Sequence, residues 1–362
     1  MRLEREILFE LNAKPGNPRN SEGDFARLPD GGLMFAYSRF TGGSWDDHAT
    51  SEICAVYAPD GETFDAANPR LLVSPERFGG GNTMSVTLRP NADGGVSLYF
   101  LVKFSGRGVP VRDEYYRIDS PDGYDFTGEA VLCFPRDHTG YHVVNNCRVE
   151  TLSDGRVVIP AATHDTQDRG GFPVVTDRAV SRFLLSDDDG RTFREDAQVL
   201  SFPDPADANG LQEPGVIELQ DGRLYGYFRT GAGCQYESFS SDRGASWSAP
   251  APSRFVSPLS PMKLARNPYS SRYYAIWNPC REAETLPDDD RTWSRTPLAI
   301  AGSEIGLDFG EPTLLESDLT RGYCYPAIFF LSETQALVSY CISGPDTVPL
   351  QNTRVVRLTF KE

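Results

Sequence analysis

Ser186-Asp187-Asp188-Asp189-Gly190-Arg191-Thr192-Phe193 and Ser240-Ser241-Asp242-Arg243-Gly244-Ala245-Ser246-Trp247 share one form, S-x-D-x-G-x-[ST]-[FW]. In such a stretch the Asp carboxylate accepts backbone N–H groups across a turn, Gly supplies a left-handed residue, and the aromatic ring plugs the gap beneath. Weaker copies end at Thr63-Phe64, Asp125-Phe126 and Asp308-Phe309. The anchor acids Asp60, Asp122, Asp188, Asp242 and Glu304 stand 62, 66, 54 and 62 residues apart, an internal repeat. A second ladder of tight turns runs in alternation with the first: Asp30-Gly31, Asp93-Gly94, Asp154-Gly155 and Asp221-Gly222, with weaker equivalents near Ser271 and Glu333. Each repeat then reads as four antiparallel strands, and the chain as an all-β, six-bladed β-propeller. The segment Glu6 to Leu11 alternates like a strand ahead of the first repeat and is expected to complete the sixth blade, leaving no sheet edge open.

Because the repeat runs nearly end to end, residues 1–362 are read as a single domain. No segment approaches the roughly 18 apolar residues of a membrane span. The charged start, Met1 to Glu6, lacks the apolar stretch of a signal peptide. Seven cysteines (54, 133, 147, 234, 280, 324 and 341) form an odd, scattered set without a C-x-x-C pair, so a reduced, cytoplasmic protein is expected. The net charge of −16 argues against nucleic-acid and membrane partners, and requires a local cluster of arginines for any anionic ligand. His48, His138, His142 and His164 show no metal-ligand spacing, so neither a metal nor another cofactor is expected. Oligomeric state is left open.

Hairpin register places side chains on one rim. Residues equidistant from a turn centre lie opposite each other. Glu213 and Arg229 flank the Asp221-Gly222 turn at the far end of their blade, and Tyr325 stands to the turn at Glu333-Thr334 as Glu213 does to its own. The corresponding places in the third repeat are Asn146, Arg148 and, across the hairpin, His164; in the first they are Arg19 to Glu22 and, across the hairpin, Arg39. Asp46 and Asp47 precede the third strand of the first repeat, and Arg295 that of the fifth, so they join the same rim, with the Asp turns on the opposite face. Singly, an Arg at a strand end is an ordinary solvated residue. Two Arg, a Glu, a Tyr and an Asp pair converging on a ring mouth point to a ligand site, because such mouths are concave.

The segment from Gln212-Glu213-Pro214-Gly215 to Asp221-Gly222-Arg223-Leu224, followed by Phe228-Arg229, resembles the stretch of the sialidase (neuraminidase) superfamily that holds a catalytic Glu and the second carboxylate-binding Arg. Arg295-Thr296-Pro297-Leu298 is similar to the segment of the third Arg, and Cys324-Tyr325-Pro326-Ala327 to that of the nucleophilic Tyr. The resemblance implies a six-bladed propeller acting as an exo-glycoside hydrolase that releases a terminal 2-keto acid sugar such as sialic acid. Tyr325 would be the nucleophile, Glu213 its base, Arg229 and Arg295 the carboxylate clamp, and Asp47 or Asp46 the acid/base, only one of the two serving because neighbours on a strand face opposite ways. A neutral phenol suits a carbon bearing a carboxylate, which repels an anionic nucleophile. The alternative is a non-catalytic glycan-binding propeller, or a related hydrolase or lyase acting on another sugar. At the family's first Arg, in an F-R-I-P segment, this chain has Asn20-Ser21-Glu22-Gly23-Asp24. Arg19 or Arg39 is expected to substitute, while Glu22 weakens a carboxylate site.

Overall fold

The computed structural model describes residues 2–104, 112–134, 141–168, 173–195, 198–280, 293, 295–346 and 348–361; His138 lies outside them. Strands dominate. The only helical element among the described residues is a 3-10 turn at Pro75–Phe78. The strands are rich in branched and aromatic residues, as in Val96–Lys103 (VSLYFLVK) and Tyr273–Trp277 (YYAIW), whose residues are all buried. Burial of both faces of a strand means that its sheet has neighbours on either side.

In chain order the strands are β1 (Arg2–Leu11), β2 (Arg19–Arg27), β3 (Leu33–Phe40), β4 (Ser51–Ala58), β5 (Arg70–Val73), β6 (Asn82–Pro90), β7 (Val96–Lys103), β8 (Asp113–Ser120) and β9 (Ala130–Leu132). There follow β10 (Tyr141–Val143), β11 (Glu150–Thr151), β12 (Val157–Asp168), β13 (Pro173–Ser186), β14 (Arg194–Glu195), β15 (Gln212–Glu218), β16 (Leu224–Arg229), β17 (Cys234–Ser240) and β18 (Ala251–Val256). The last are β19 (Lys263–Arg266), β20 (Tyr273–Trp277), β21 (Leu298–Ser303), β22 (Thr313–Glu316), β23 (Tyr323–Phe330), β24 (Gln335–Ile342) and β25 (Asn352–Lys361).

They form an all-β propeller whose pairing corrects the expectation of six separate four-stranded sheets. Among the described residues there are five: β15 to β18, β19 to β22 and the closing sheet β1-β25-β24-β23 have four strands each, β10 to β14 make a five-stranded sheet, and β2 to β9 an eight-stranded one. The physical cause is local. The two antiparallel halves of the large sheet meet at one parallel residue pair, Ser51 with Asn82. Ser51 Oγ donates to Thr83 O at 2.8 Å, and Thr83 Oγ1 donates to Ser51 O at 3.1 Å, stitching the halves there. The N-terminal strand pairs antiparallel with the C-terminal one from Arg2↔Lys361 to Leu11↔Thr353, as expected from its alternation.

The core lies between neighbouring sheets. Tyr274 and Ile300 of one sheet pack with Val338 and Leu358 of the closing sheet, and Phe183 stacks on Trp247 at 4.1 Å between ring centroids. At the Asp turns, Asp242 Oδ1 accepts Ser246 N at 2.8 Å and Ser240 Oγ at 2.8 Å, while Ser240 Oγ accepts Gly244 N at 2.8 Å. Asp188 repeats this with Thr192 N at 2.9 Å and Ser186 Oγ at 2.7 Å. The fifth anchor departs from the pattern: Glu304 pairs with Arg272 at 2.8 Å. In the sheet of Asp242, Ser240 pairs with Leu224 and Gln212 pairs with Arg229 at the other strand ends, so the Asp turn is far from Glu213.

Replacement of Asp242 by Ala is expected to cost about 1 kcal/mol by urea denaturation, since it removes charge-assisted bonds at an exposed turn; Glu304→Ala should stay within about 0.5 kcal/mol. The bonds from Ser246 hold the Asp242 carboxyl below its usual range. Its contribution is therefore present above the ordinary carboxylate range and lost as pH falls through the lowered value, so the Asp242→Ala deficit should vanish at strongly acid pH. Equal deficits for the two variants would contradict this account.

Candidate active site

On the face away from the Asp turns, a cleft of about 480 Å³ opens at the ring centre. Its walls carry Tyr325, Glu213, Arg229, Arg295, His164, Arg19, Asp46 and Asp47. Eight of the ten residues expected at the site are thus together.

Glu213 and Tyr325 sit at the starts of β15 and β23, where the pairing of each strand with its hairpin partner skips a step, between Gln212 and Gly215 and between Cys324 and Ala327. Both have left-handed backbones, φ 42° and 52°. Each precedes a proline, Pro214 and Pro326. Such a conformation costs on the order of 1–3 kcal/mol and persists only where the surroundings fix it. Tyr325 Oη donates to Glu213 Oε1 at 2.9 Å, and Arg229 Nη1 donates to the same oxygen at 2.7 Å. Burial first, and then the Glu213 charge, push the Tyr325 phenol well above its ordinary value. The Arg295 guanidinium stacks over Tyr325 at 5.6 Å and over Trp293 at 5.1 Å. Among the described residues, Arg295 Nε and Nη1, Arg229 Nε and Glu213 Oε2 are buried without a hydrogen-bond partner. Two cations with unmet donors beside a Tyr–Glu couple can hold an anionic group.

Across the cleft the arrangement is acidic. Arg19 is fully buried. Its Nε donates to Ser21 Oγ at 2.7 Å, Nη1 to Trp45 O at 3.0 Å and Asp47 Oδ1 at 2.5 Å, and Nη2 to Glu22 Oε1 at 2.5 Å. All its nitrogens are taken, so it holds Glu22 and Asp47 in place and is not the third cation expected of it. The Asp47 side chain is 51% exposed. Partial desolvation of its carboxyl works to raise it, but Arg19 and then Lys103 outweigh this and hold it below the ordinary range. Asp46 lies beside it with Oδ1 accepting His48 N at 2.8 Å, a turn cap. His164 turns Nδ1 to Thr176 O at 3.0 Å, and burial lowers its pKa, so it rests neutral.

Two expected residues are elsewhere. Arg39 donates to Glu52 at 2.7 Å, outside the cleft, because alternation along β3 points it away. Arg148 is buried in the interior, where Nη1 donates to Tyr227 Oη at 2.9 Å and the guanidinium stacks on the same ring at 5.2 Å. Lys103, Tyr141, Trp45 and Ser85 line the cleft without having been foreseen. Lys103 Nζ donates to Asp47 O at 3.0 Å and Tyr141 Oη at 2.8 Å, fixing the Asp47 loop.

The family model described as a BNR repeat-like domain matches residues 67–338. No curated protein matches the chain. Among solved structures, a Dyadobacter fermentans protein of unknown function is 17% identical with TM-score 0.71 over 99% of both chains. The NanB sialidase of Streptococcus pneumoniae is 12% identical with TM-score 0.71 over 98% of this chain and 70% of its own. A Trypanosoma rangeli sialidase bound to 2,3-difluorosialic acid as a covalent intermediate is 14% identical with TM-score 0.67 over 99% of this chain and 59% of its own. At these identities the likeness shows the fold.

Arg19→Ala strands two carboxylates and is expected to lower unfolding free energy by about 3–5 kcal/mol in urea titrations. Arg39→Ala, at a half-buried pair, should cost about 1 kcal/mol or less. An Arg19→Ala protein as stable as the parent would remove Arg19 from this positioning role.

Proposed function

The chain belongs to the BNR repeat-like domain family, within the sialidase and BNR propeller superfamily, and from that premise we propose that it is an exo-acting glycoside hydrolase releasing a terminal acidic sugar through Tyr325. In this reading the eight-stranded sheet counts as two blades joined at one residue pair, and the propeller has six. The observation that carries the reading is the 2.9 Å bond from Tyr325 Oη to Glu213 Oε1 at two left-handed, pre-proline positions.

Arg229 and Arg295 bind the substrate carboxylate, Arg295 through the donors that lack partners among the described residues. Tyr325 Oη attacks the anomeric carbon as its proton passes to Glu213, and the glycosidic oxygen leaves. Charge is the reason for a phenol there: a carboxylate nucleophile would meet the carboxylate of a 2-keto acid sugar. Water then displaces the Tyr325 oxygen, which recovers its proton from Glu213. Asp47 in its acid form gives its proton to the departing oxygen and recovers one from the attacking water. Because Arg19 and Lys103 hold it below the ordinary range, it takes up a proton before the first half begins.

Tyr325→Phe removes one hydroxyl and should leave folding intact while turnover of aryl glycosides of acid sugars falls by a factor of about 1,000 or more, equivalent to roughly 4 kcal/mol of barrier. Turnover at the parent rate would exclude Tyr325 as nucleophile, and binding of acid sugars without any parental turnover would favour a glycan-binding propeller. Asp47→Ala should slow alkyl glycosides at least about tenfold more than 4-nitrophenyl glycosides, whose leaving group needs little protonation. Equal losses on the two substrates would assign Asp47 a structural role.

A further inference from the structure

Four innermost strands are interrupted at the same place. Pairing skips from Ser21 to Asp24 in β2, from Met84 to Thr87 in β6, from Gln212 to Gly215 in β15 and from Cys324 to Ala327 in β23. The first skipped residue is left-handed each time: Glu22 (φ 56°), Ser85 (62°), Glu213 (42°) and Tyr325 (52°). All four line the cleft. The backbone device that aims Glu213 and Tyr325 at the ligand therefore aims Glu22 and Ser85 at it too, and the proposed reaction uses neither.

Glu22 is buried, with Oε1 accepting Arg19 Nη2 at 2.5 Å and Oε2 accepting Ser85 Oγ at 3.1 Å. Each oxygen keeps a lone pair, and the two donors orient the group. With Arg19 taken up by Glu22 and Asp47, the cleft is polarised: donors without partners among the described residues at Arg229 and Arg295, acceptors at Glu22 and Asp47. A ligand carboxylate against the two arginines has acceptors facing the rest of its ring.

We propose that Glu22 is a specificity-determining residue that accepts a sugar hydroxyl, and that the site takes acid sugars bearing a hydroxyl on the carbon next to the carboxylate-bearing carbon, in preference to 3-deoxy-2-keto acids. This rests on the reading of the cleft as an acid-sugar site. The chemistry is a matter of donors. A 2-keto acid that retains its C3 hydroxyl offers an O–H there; a 3-deoxy-2-keto acid offers a CH2, which leaves the buried Glu22 acceptor facing an apolar group and uncompensated. A site built to bond a hydroxyl discriminates strongly against the analogue that lacks it.

The test is calorimetric titration with free 2-keto-D-gluconate and free 2-keto-3-deoxy-D-gluconate, which differ only in the C3 hydroxyl and neither of which needs turnover. The parent protein should bind 2-keto-D-gluconate about tenfold or more tightly than the 3-deoxy acid. Glu22→Gln keeps the shape and an acceptor but adds a donor and removes the charge, and should compress that ratio to about threefold or less, mainly by tightening the 3-deoxy acid. Ser85→Ala removes only the orienting hydroxyl and should weaken the preference by about threefold, which keeps the inference testable if Glu22→Gln does not fold. A parent that prefers the 3-deoxy acid, a ratio unmoved by either folded variant, or binding of neither sugar would overturn it. Failure of the hydrolase reading is separate, being read from turnover in Tyr325→Phe.

Discussion

The left-handed step in the innermost strands is the constraint on which the site depends, and hydrogen bonds between strands hold it in place. Asn146 Nδ2 reaches Gly23 O at 2.9 Å and Tyr325 O at 3.4 Å, so one amide ties the backbone beside Glu22 to that of Tyr325. Cys147 N donates to Val86 O at 3.0 Å, and Lys263 Nζ donates to Cys147 O at 2.6 Å. Close packing completes the arrangement. A Cβ at Gly23 would stand 2.3 Å from the Phe35 ring and one at Gly215 would stand 2.1 Å from the Tyr227 ring, so the chain passes these rings only as glycine. Side chains that meet in the cleft thus come from strands far apart in sequence and are set by backbone geometry.

Much of this was legible in the residues, because turn chemistry is local. The Asp turns follow from carboxylate, glycine and aromatic at fixed offsets, and hairpin counting put Glu213, Arg229 and Tyr325 at one rim. The same count identifies Glu22: it lies eight residues before Asp30, as Ser85 does before Asp93 and Glu213 before Asp221. Expecting a cation at that place drew attention to Arg19 and Arg39 instead. Arg39 was misplaced because strand alternation reverses with a single residue, and Arg148 because the third repeat lacks the skipped pairing of β2, β6, β15 and β23. Lys103, Trp45 and Tyr141 carry no local signal, since their place in the cleft comes from strand ends and loops converging in space. The joining of the first two repeats rests on a single residue pair, below the resolution of any periodicity.

Charge distribution explains how an acidic protein offers an anion a place. The chain carries a net charge of −16. The cleft lining includes four cations, Arg19, Lys103, Arg229 and Arg295, against five carboxylates, Glu22, Asp46, Asp47, Asp177 and Glu213. What distinguishes the Arg229 and Arg295 side is therefore unmet hydrogen-bonding capacity and not net charge. Attraction there is short in range and felt on contact, while the surrounding field does little to draw an anion in from a distance.

The pairing of β1 with β25 gives the ring a single closure, made by segments about 340 residues apart in the sequence. During synthesis β1 must remain without its partner until the far segment has left the ribosome, long after the intervening hairpins have had time to form. Glu22 and Tyr325 meet in the cleft only when that gap shuts. Assembly of the cleft is thereby coupled to the last topological event of folding, and a chain stopped short of β25 holds most of its sheets but presents an unfinished mouth and an open strand edge to its surroundings.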